Sequence, residues 1–179
     1  MCGTSRFVVQ LIVILYTAME VCSKFEFTNI QCTSLDKEFD DIEYCYIKSV
    51  NRSYKYISIK VKLFKTPVTK VKVNAALYQR LNGYKPFLYN ITLDACKFLR
   101  NTDRNPVAKY IYELFNGHSN MNHTCPFDHD IILEKLPSNF LNTRLTDVLP
   151  FPEADYLLET HWYAYNVNRA VIKVYGTLS

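Results

Sequence analysis

Residues 87–99 read FLYNITLDACKFL. Phe87, Tyr89, Ile91 and Leu93 share one face of an extended chain, and Leu88, Asn90, Thr92 and Asp94 share the other. A period of two with one apolar side is the pattern of a half-buried antiparallel strand. The stretch therefore reads as a strand, changing period after Cys96. Its second face holds Asn90-Ile91-Thr92, an N-glycosylation acceptor. A glycan needs solvent, so the sequon marks that face as wet. Asp94, on the same face, reads as a surface acid or turn partner rather than a proton donor.

The same alternation recurs upstream. Ile57, Ile59, Val61 and Leu63 alternate with Ser58, Lys60 and Lys62. Thr66-Pro67 breaks that run, and Val71, Val73, Ala75 and Leu77 then alternate with Lys70, Lys72 and Asn74. Proline cannot donate to a ladder and suits a turn, so the two runs are predicted to form a hairpin. Asn82-Gly83 leads into the opening stretch and signals a type I′ turn. Further strands are predicted at Phe25–Gln31, Ile42–Val50 and Ile131–Leu136. A closing hairpin, Ala154–Val167 with Ala170–Leu178, is expected to turn at Asn168-Arg169. Pro137, Pro150 and Pro152 mark irregular ground around Phe140–Leu149, which reads as strand or a short helical turn. A single amphipathic helix is predicted over about 105–116. There Asn105 caps, Pro106 suits the first position, and Val107, Tyr110, Ile111, Leu114 and Phe115 recur at helical spacing, with Gly117 as a stop. Seven to nine short strands and one helix make a mainly β protein, a sandwich or barrel.

The chain has 179 residues. Residues 1–23 read as a secretory signal peptide: Arg6, then the apolar run Phe7–Met19, then small residues at Val21-Cys22-Ser23. The run falls well short of the ~20 residues a spanning helix needs, and no later segment is long and apolar enough. The mature protein is expected to be one domain, residues 24–179. Losing Arg6 and Glu20 leaves the net charge at +4. That is too weak and dispersed to point to nucleic acid.

Four cysteines remain after the signal region: Cys32, Cys45, Cys96 and Cys125. An even number in a secreted chain points to two disulfides, and four cysteines allow three pairings. Cys32–Cys45 with Cys96–Cys125 is favoured, since each bond closes a local segment; sequence alone does not choose. Zinc is the rival, through His118, His123 and His129 beside Cys125, but C-x-x-C and H-x3-H spacings are absent. Sequons at Asn51, Asn90 and Asn122 fit a secreted glycoprotein.

The sequence holds no nucleophile elbow, metalloprotease helix or phosphate loop. Asp128 with His129, or His161 with an acid, is the nearest approach to a catalytic set, and we expect no enzyme, cofactor or metal. Lys55, Lys60, Lys62, Lys65, Lys70 and Lys72 are expected on two adjacent strands. They read as a solvated face guarding a sheet edge, or as a docking surface for anionic headgroups or an acidic partner. The apolar stripes are either packed core or the walls of a ligand cavity between parted sheets.

Three segments carry a resemblance: LYQRLNGYKPFLYNITLDACKFL (77–99), NPVAKYIYELFNG (105–117) and NHTCPFD (122–128). The chain resembles a family of small secreted insect proteins of uncharacterised function. That family is similar to the MD-2-related lipid-recognition (ML) fold, with chemosensory relatives and the ganglioside-activator type. The resemblance implies an immunoglobulin-like β-sandwich of two antiparallel sheets. It implies a lipid or other hydrophobic ligand held between them, for carriage or for presentation to an extracellular receptor. Carried onto this chain, Phe87, Tyr89, Ile91 and Leu93 line the cavity, and Cys96 joins Cys125. Ile59, Val61, Leu63, Val73, Leu77 and Trp162 complete the expected pocket. The helix between the two cysteines departs from simpler lipid-binding members, as lid or as filler. The alternative is an extracellular protein-binding module with a filled core.

Overall fold

The computed structural model describes residues 24–51, 54–148 and 151–179; the expected signal peptide, residues 1–23, lies outside them. Among the described residues there are eight strands: β1 (Phe25–Ser34), β2 (Asp40–Ser49), β3 (Lys55–Leu63), β4 (Val71–Leu81), β5 (Gly83–Asp94), β6 (Ile131–Pro137), β7 (Ala154–Ala164) and β8 (Val167–Leu178). They form two antiparallel sheets, five-stranded β1-β8-β7-β4-β5 and three-stranded β2-β3-β6. The fold is an immunoglobulin-like β-sandwich, as the alternation requires: each sheet has one apolar face to bury.

The hairpin expected between β3 and β4 does not form. β3 pairs with β2 and β6, and β4 with β5 and β7, so Thr66-Pro67 carries the chain from one sheet to the other. Beyond the proline, Val68 is buried and exchanges backbone hydrogen bonds with Phe127 (2.7 and 2.9 Å), closing that end of the sandwich. The lysines are divided accordingly. Lys55, Lys60, Lys62 and Lys65 pair with Glu26, Glu43, Asp130 and Glu38. Such exposed pairs add little stability.

Ser58 also departs from its alternation, being fully buried. The β3–β6 register slips between Ile57 and Ile59, and the Ser58 hydroxyl accepts a hydrogen bond from the Lys135 amide (3.0 Å). A side chain thus serves the backbone where the ladder is interrupted.

The turns exchange roles. At Asn82-Gly83 only the glycine has a positive φ (89°), so this turn is not type I′. Both central residues are left-handed instead at Tyr165 (53°) and Asn166 (66°), which join β7 to β8 ahead of the expected Asn168-Arg169. A tyrosine is costly there. Its hydroxyl anchors the turn, accepting from the Thr69 amide and donating to the Pro67 carbonyl, each at 3.2 Å.

Three α-helices are described where one was expected: α1 (Ala95–Arg100), α2 (Pro106–Glu113) and α3 (Ser138–Val148). Residues 87–99 are therefore not strand throughout. Asp94 ends β5 and caps α1, its carboxylate accepting from the Lys97 amide (2.9 Å). Asn105 caps α2 in the same way, through Ala108 (3.0 Å), with Pro106 at the first helical position. That helix stops at Glu113, short of 116, and a 3-10 turn follows.

Two disulfides stitch the sheets. Cys32–Cys45 joins β1 to β2, and Cys96–Cys125 joins the start of α1 to the strand-free segment before β6. β1 and β5 are the two edges of the large sheet, and β2 and β6 those of the small one. The bonds therefore lie at opposite sides of the sandwich.

The interior is packed in two clusters. One gathers Phe25, Phe27, Ile57, Leu136, Leu141, Tyr156 and Leu178; the other holds Phe39, Val68, Phe127 and Ala164. Gly176 lies beneath Phe25, and a Cβ there would stand 2.3 Å from its ring. We expect Gly176→Ala to displace that buried ring and cost about 1–3 kcal/mol, read as a lowered urea midpoint.

Candidate functional site

Between the two clusters the sheets part around a cavity of about 380 Å³. Its wall is almost wholly apolar, and both sheets contribute to it. β3 supplies Ile59, Val61 and Leu63, β4 supplies Val73, Ala75 and Leu77, and β5 supplies Tyr89, Ile91 and Leu93. Trp162 adds an indole from β7. Of the residues expected to line a pocket, Phe87 is not brought to it. It stacks with Phe151 and Tyr156 at 6.1 and 5.6 Å between ring centroids. The cause is a register shift opposite Ala76 and Tyr78, together with a positive φ at Leu88 (57°), which breaks the phase between Phe87 and Tyr89.

The segment between Cys96 and Cys125 forms a side wall. Ala108, Tyr110, Ile111 and Tyr112 of α2, with Leu114 and Phe115 just beyond it, border the cavity. The helix lines the space without filling it. Its two tyrosine hydroxyls are engaged by the protein: Tyr110 donates to the Arg144 carbonyl (3.0 Å) and Tyr112 to that of Met121 (2.9 Å). Burial raises both phenols above their ordinary pKa.

Other polar groups around the cavity are similarly engaged. The Trp162 indole donates to Thr160 Oγ1 (2.9 Å), and that hydroxyl donates to the Ile172 carbonyl (3.3 Å). Tyr156 donates to the Pro152 carbonyl (2.6 Å). Two charged residues, Asp40 and Arg169, also border the space. Neither was expected in a pocket; Arg169 was expected only in a turn. Asp40 is only 2% exposed, and burial raises its carboxyl above the usual range despite an opposing hydrogen bond from Ser34. Arg169 pairs with Asp36 and stacks 4.3 Å over the Phe39 ring.

The raised value fixes the sign of a stability effect. The folded state holds the Asp40 proton more tightly than the unfolded chain does, so Asp40 favours folding at low pH and loses that contribution as pH rises through its folded value. We expect Asp40→Asn to raise Tm at neutral pH, by about 2–4 °C for a gain on the order of 1 kcal/mol. The gap should close below about pH 4, the ordinary carboxylate range; thermal melts across pH read it directly.

The remaining candidates lie elsewhere. Asn51, Asn90 and Asn122 are exposed. Cys125 is committed to its disulfide, while His123 and His129 meet at 2.7 Å and His118 contacts the Glu134 carbonyl (3.3 Å). Among the described residues no group of three or more His, Cys, Asp or Glu is placed to hold a metal ion. His161 pairs with Glu159 at 2.8 Å, and neither borders the cavity. Outside the sandwich an open groove gathers Lys70, Lys72, Lys97 and Arg100 with Asp94 and Asn166. It shares Val71 and Tyr163 with the cavity wall.

A family model described as "Protein of unknown function (DUF1091)" matches residues 73–158, just under half of the chain. No curated protein matches it. Among solved structures, the chain is similar to a Niemann-Pick type C2 protein from Japanese carpenter ant, at 14% identity and a TM-score of 0.30. That match covers 86% of this chain and 90% of the other. At that TM-score the likeness carries no functional argument.

Proposed function

We propose that this protein is a secreted glycoprotein of the ML type that holds a lipid or other hydrophobic small molecule between its sheets. Carriage of a chemical signal, or presentation of the ligand to an extracellular receptor, are its expected roles. The observation that supports this reading is the apolar cavity of about 380 Å³. Its size falls in the range of small-molecule sites, and an unfilled space of this kind forgoes packing contacts that a purely structural core would keep. Transfer of an apolar ligand out of water would drive binding, at about 25 cal/mol per Å² before the costs of association. Two disulfides and exposed sequons support an extracellular setting. No covalent chemistry is proposed.

The basic groove favours a second reading, a module that docks an acidic extracellular partner through Lys70, Lys72, Lys97 and Arg100. One experiment separates the two. Protein secreted from cultured eukaryotic cells is examined by native mass spectrometry and then extracted with organic solvent. A lipid or hydrocarbon in defined stoichiometry supports carriage. Empty protein that also takes up no fluorescent fatty-acyl or sterol probe overturns it and leaves the docking module.

A further inference from the structure

The sandwich is closed differently on its different sides. On the β1–β2 side a disulfide joins the edge strands, and at one end Val68 and Phe127 pair through their backbones. The chain between the other two edges, β5 and β6, carries α2, which borders the cavity together with Leu141 and Leu145 of α3. Most of the remaining wall is paired strand, and parting it would break a ladder of hydrogen bonds.

The two helices are held in unlike ways. α3 is fixed to the large sheet: the Phe25 amide donates to Asn142 Oδ1 (2.5 Å), and Leu141 is buried in the core. α2 is pinned beyond its ends. Before it stands the disulfide at Cys96. After it, the Asn120 amide donates to the Ile132 carbonyl (3.1 Å), and Asn120 Oδ1 accepts from the Ile132 amide (2.9 Å).

Arg144 of α3 is where the helices meet. Its carbonyl accepts from the Tyr110 hydroxyl (3.0 Å), and its guanidinium donates to the carbonyl of Glu113, the last residue of α2 (3.2 Å). The final carbonyls of a helix lack intrahelical partners, and a cation there also suits the helix dipole. α2 has no basic residue in its own last turn, so its neighbour's arginine supplies one. The guanidinium lies 4.4 Å over the Phe140 ring, which His118, just past α2, meets edge-on at 5.3 Å. Among the described residues, these are the two hydrogen bonds between α2 and α3, and both are exposed to solvent. Behind them the seam is apolar, with Leu114 and Phe115 on one side and Leu141 and Leu145 on the other.

We propose that the seam between α2 and α3 is the door through which the ligand enters and leaves, and that Arg144 is its latch. This rests on the lipid-holding reading above and adds the route. Parting the helices breaks two bonds that water can replace, whereas parting strands breaks many that it reaches poorly. The Arg144 side chain does not border the cavity, so loosening it raises the open population without changing what the ligand touches.

The test is stopped-flow exchange of N-phenylnaphthylamine on the full secreted chain, with release followed after a chase of excess dodecanol. Arg144→Met is expected to raise the association and release rates together by about tenfold, with Kd within about twofold. Tyr110→Phe keeps its ring in the wall and should raise both rates by about threefold; it also carries the test should the first variant not be secreted. Arg144→Lys, which returns a cation to the end of α2, should recover part of the slow exchange. Tyr44→Phe is the control: its hydroxyl donates to Glu134 (2.9 Å) away from the cavity, so both rates should hold. Faster release with unchanged association would make Arg144 a prop of the wall and overturn the door. Rates unchanged in both Arg144→Met and Tyr110→Phe would overturn it too, and in either case lipid carriage stands. A parent protein that takes up no probe overturns both.

Discussion

Ala75→Phe is expected to abolish uptake of a hydrophobic probe, lowering affinity at least about 100-fold, or about 2.7 kcal/mol, while the protein still folds. Ala75 lies in the middle of the interior strand β4, paired with Ile91 on one side and Thr160 on the other. It is 6% exposed and borders the cavity. Any larger side chain there projects into the chamber from its floor. Filling a void recovers contacts at about 24 cal/mol per Å³, and overpacking costs about 1–3 kcal/mol. The two oppose each other, so Tm should move by only a few degrees. A folded variant that binds as well as the parent would place the ligand somewhere other than between the sheets.

Removing the Cys96–Cys125 bond, by Cys96→Ser with Cys125→Ser, is expected to cost about 2–5 kcal/mol and to lower Tm on the order of 10 °C. The matching change at Cys32 and Cys45 should cost less. Its sequence separation is 13 against 29, which by loop entropy alone is a difference of about 0.7 kcal/mol. The functional consequences should differ more than the stabilities. Cys96–Cys125 ties down the segment whose helix forms the side wall, so its loss should speed release of a bound probe. Cys32–Cys45 stitches two edge strands and borders no part of the cavity. Scanning calorimetry and stopped-flow release distinguish the two variants.

Much of this architecture is legible in the residues because alternation reports which side of a strand is dry. Ile57, Ile59 and Val61, or Tyr89, Ile91 and Leu93, face the interior as their spacing requires. Alternation does not report a strand's partner. The β3 and β4 patterns are as compatible with facing sheets as with a hairpin, and pairings distant in sequence, β3 with β6 and β4 with β7, decide. Phase is equally local. Nothing in FLYNITLDACKFL announces the irregularity at Leu88 that packs Phe87 against a core cluster while Tyr89 borders the cavity. The helix α1 had a signal, the capping carboxylate of Asp94, that the apolar run around it obscured. Asp40 had none. It stands in the acid-rich run DKEFDD, residues 36–41, which reads as a solvated loop. Its burial depends on Arg169, far along the chain. Polar groups inside a cavity are hidden from one-dimensional reading because their environment is assembled entirely by tertiary contacts.

The wall between Cys96 and Cys125 is, topologically, a closed ring. A single peptide-bond cut anywhere from Lys97 to Thr124 would therefore release no fragment. Its mass would rise by one water, and both cut ends would remain tethered through the sulfur bridge. On a non-reducing gel the nicked protein would migrate as one band, and two pieces would part only after a thiol reductant was added. In a protein built this way, injury to the wall is not loss of the wall.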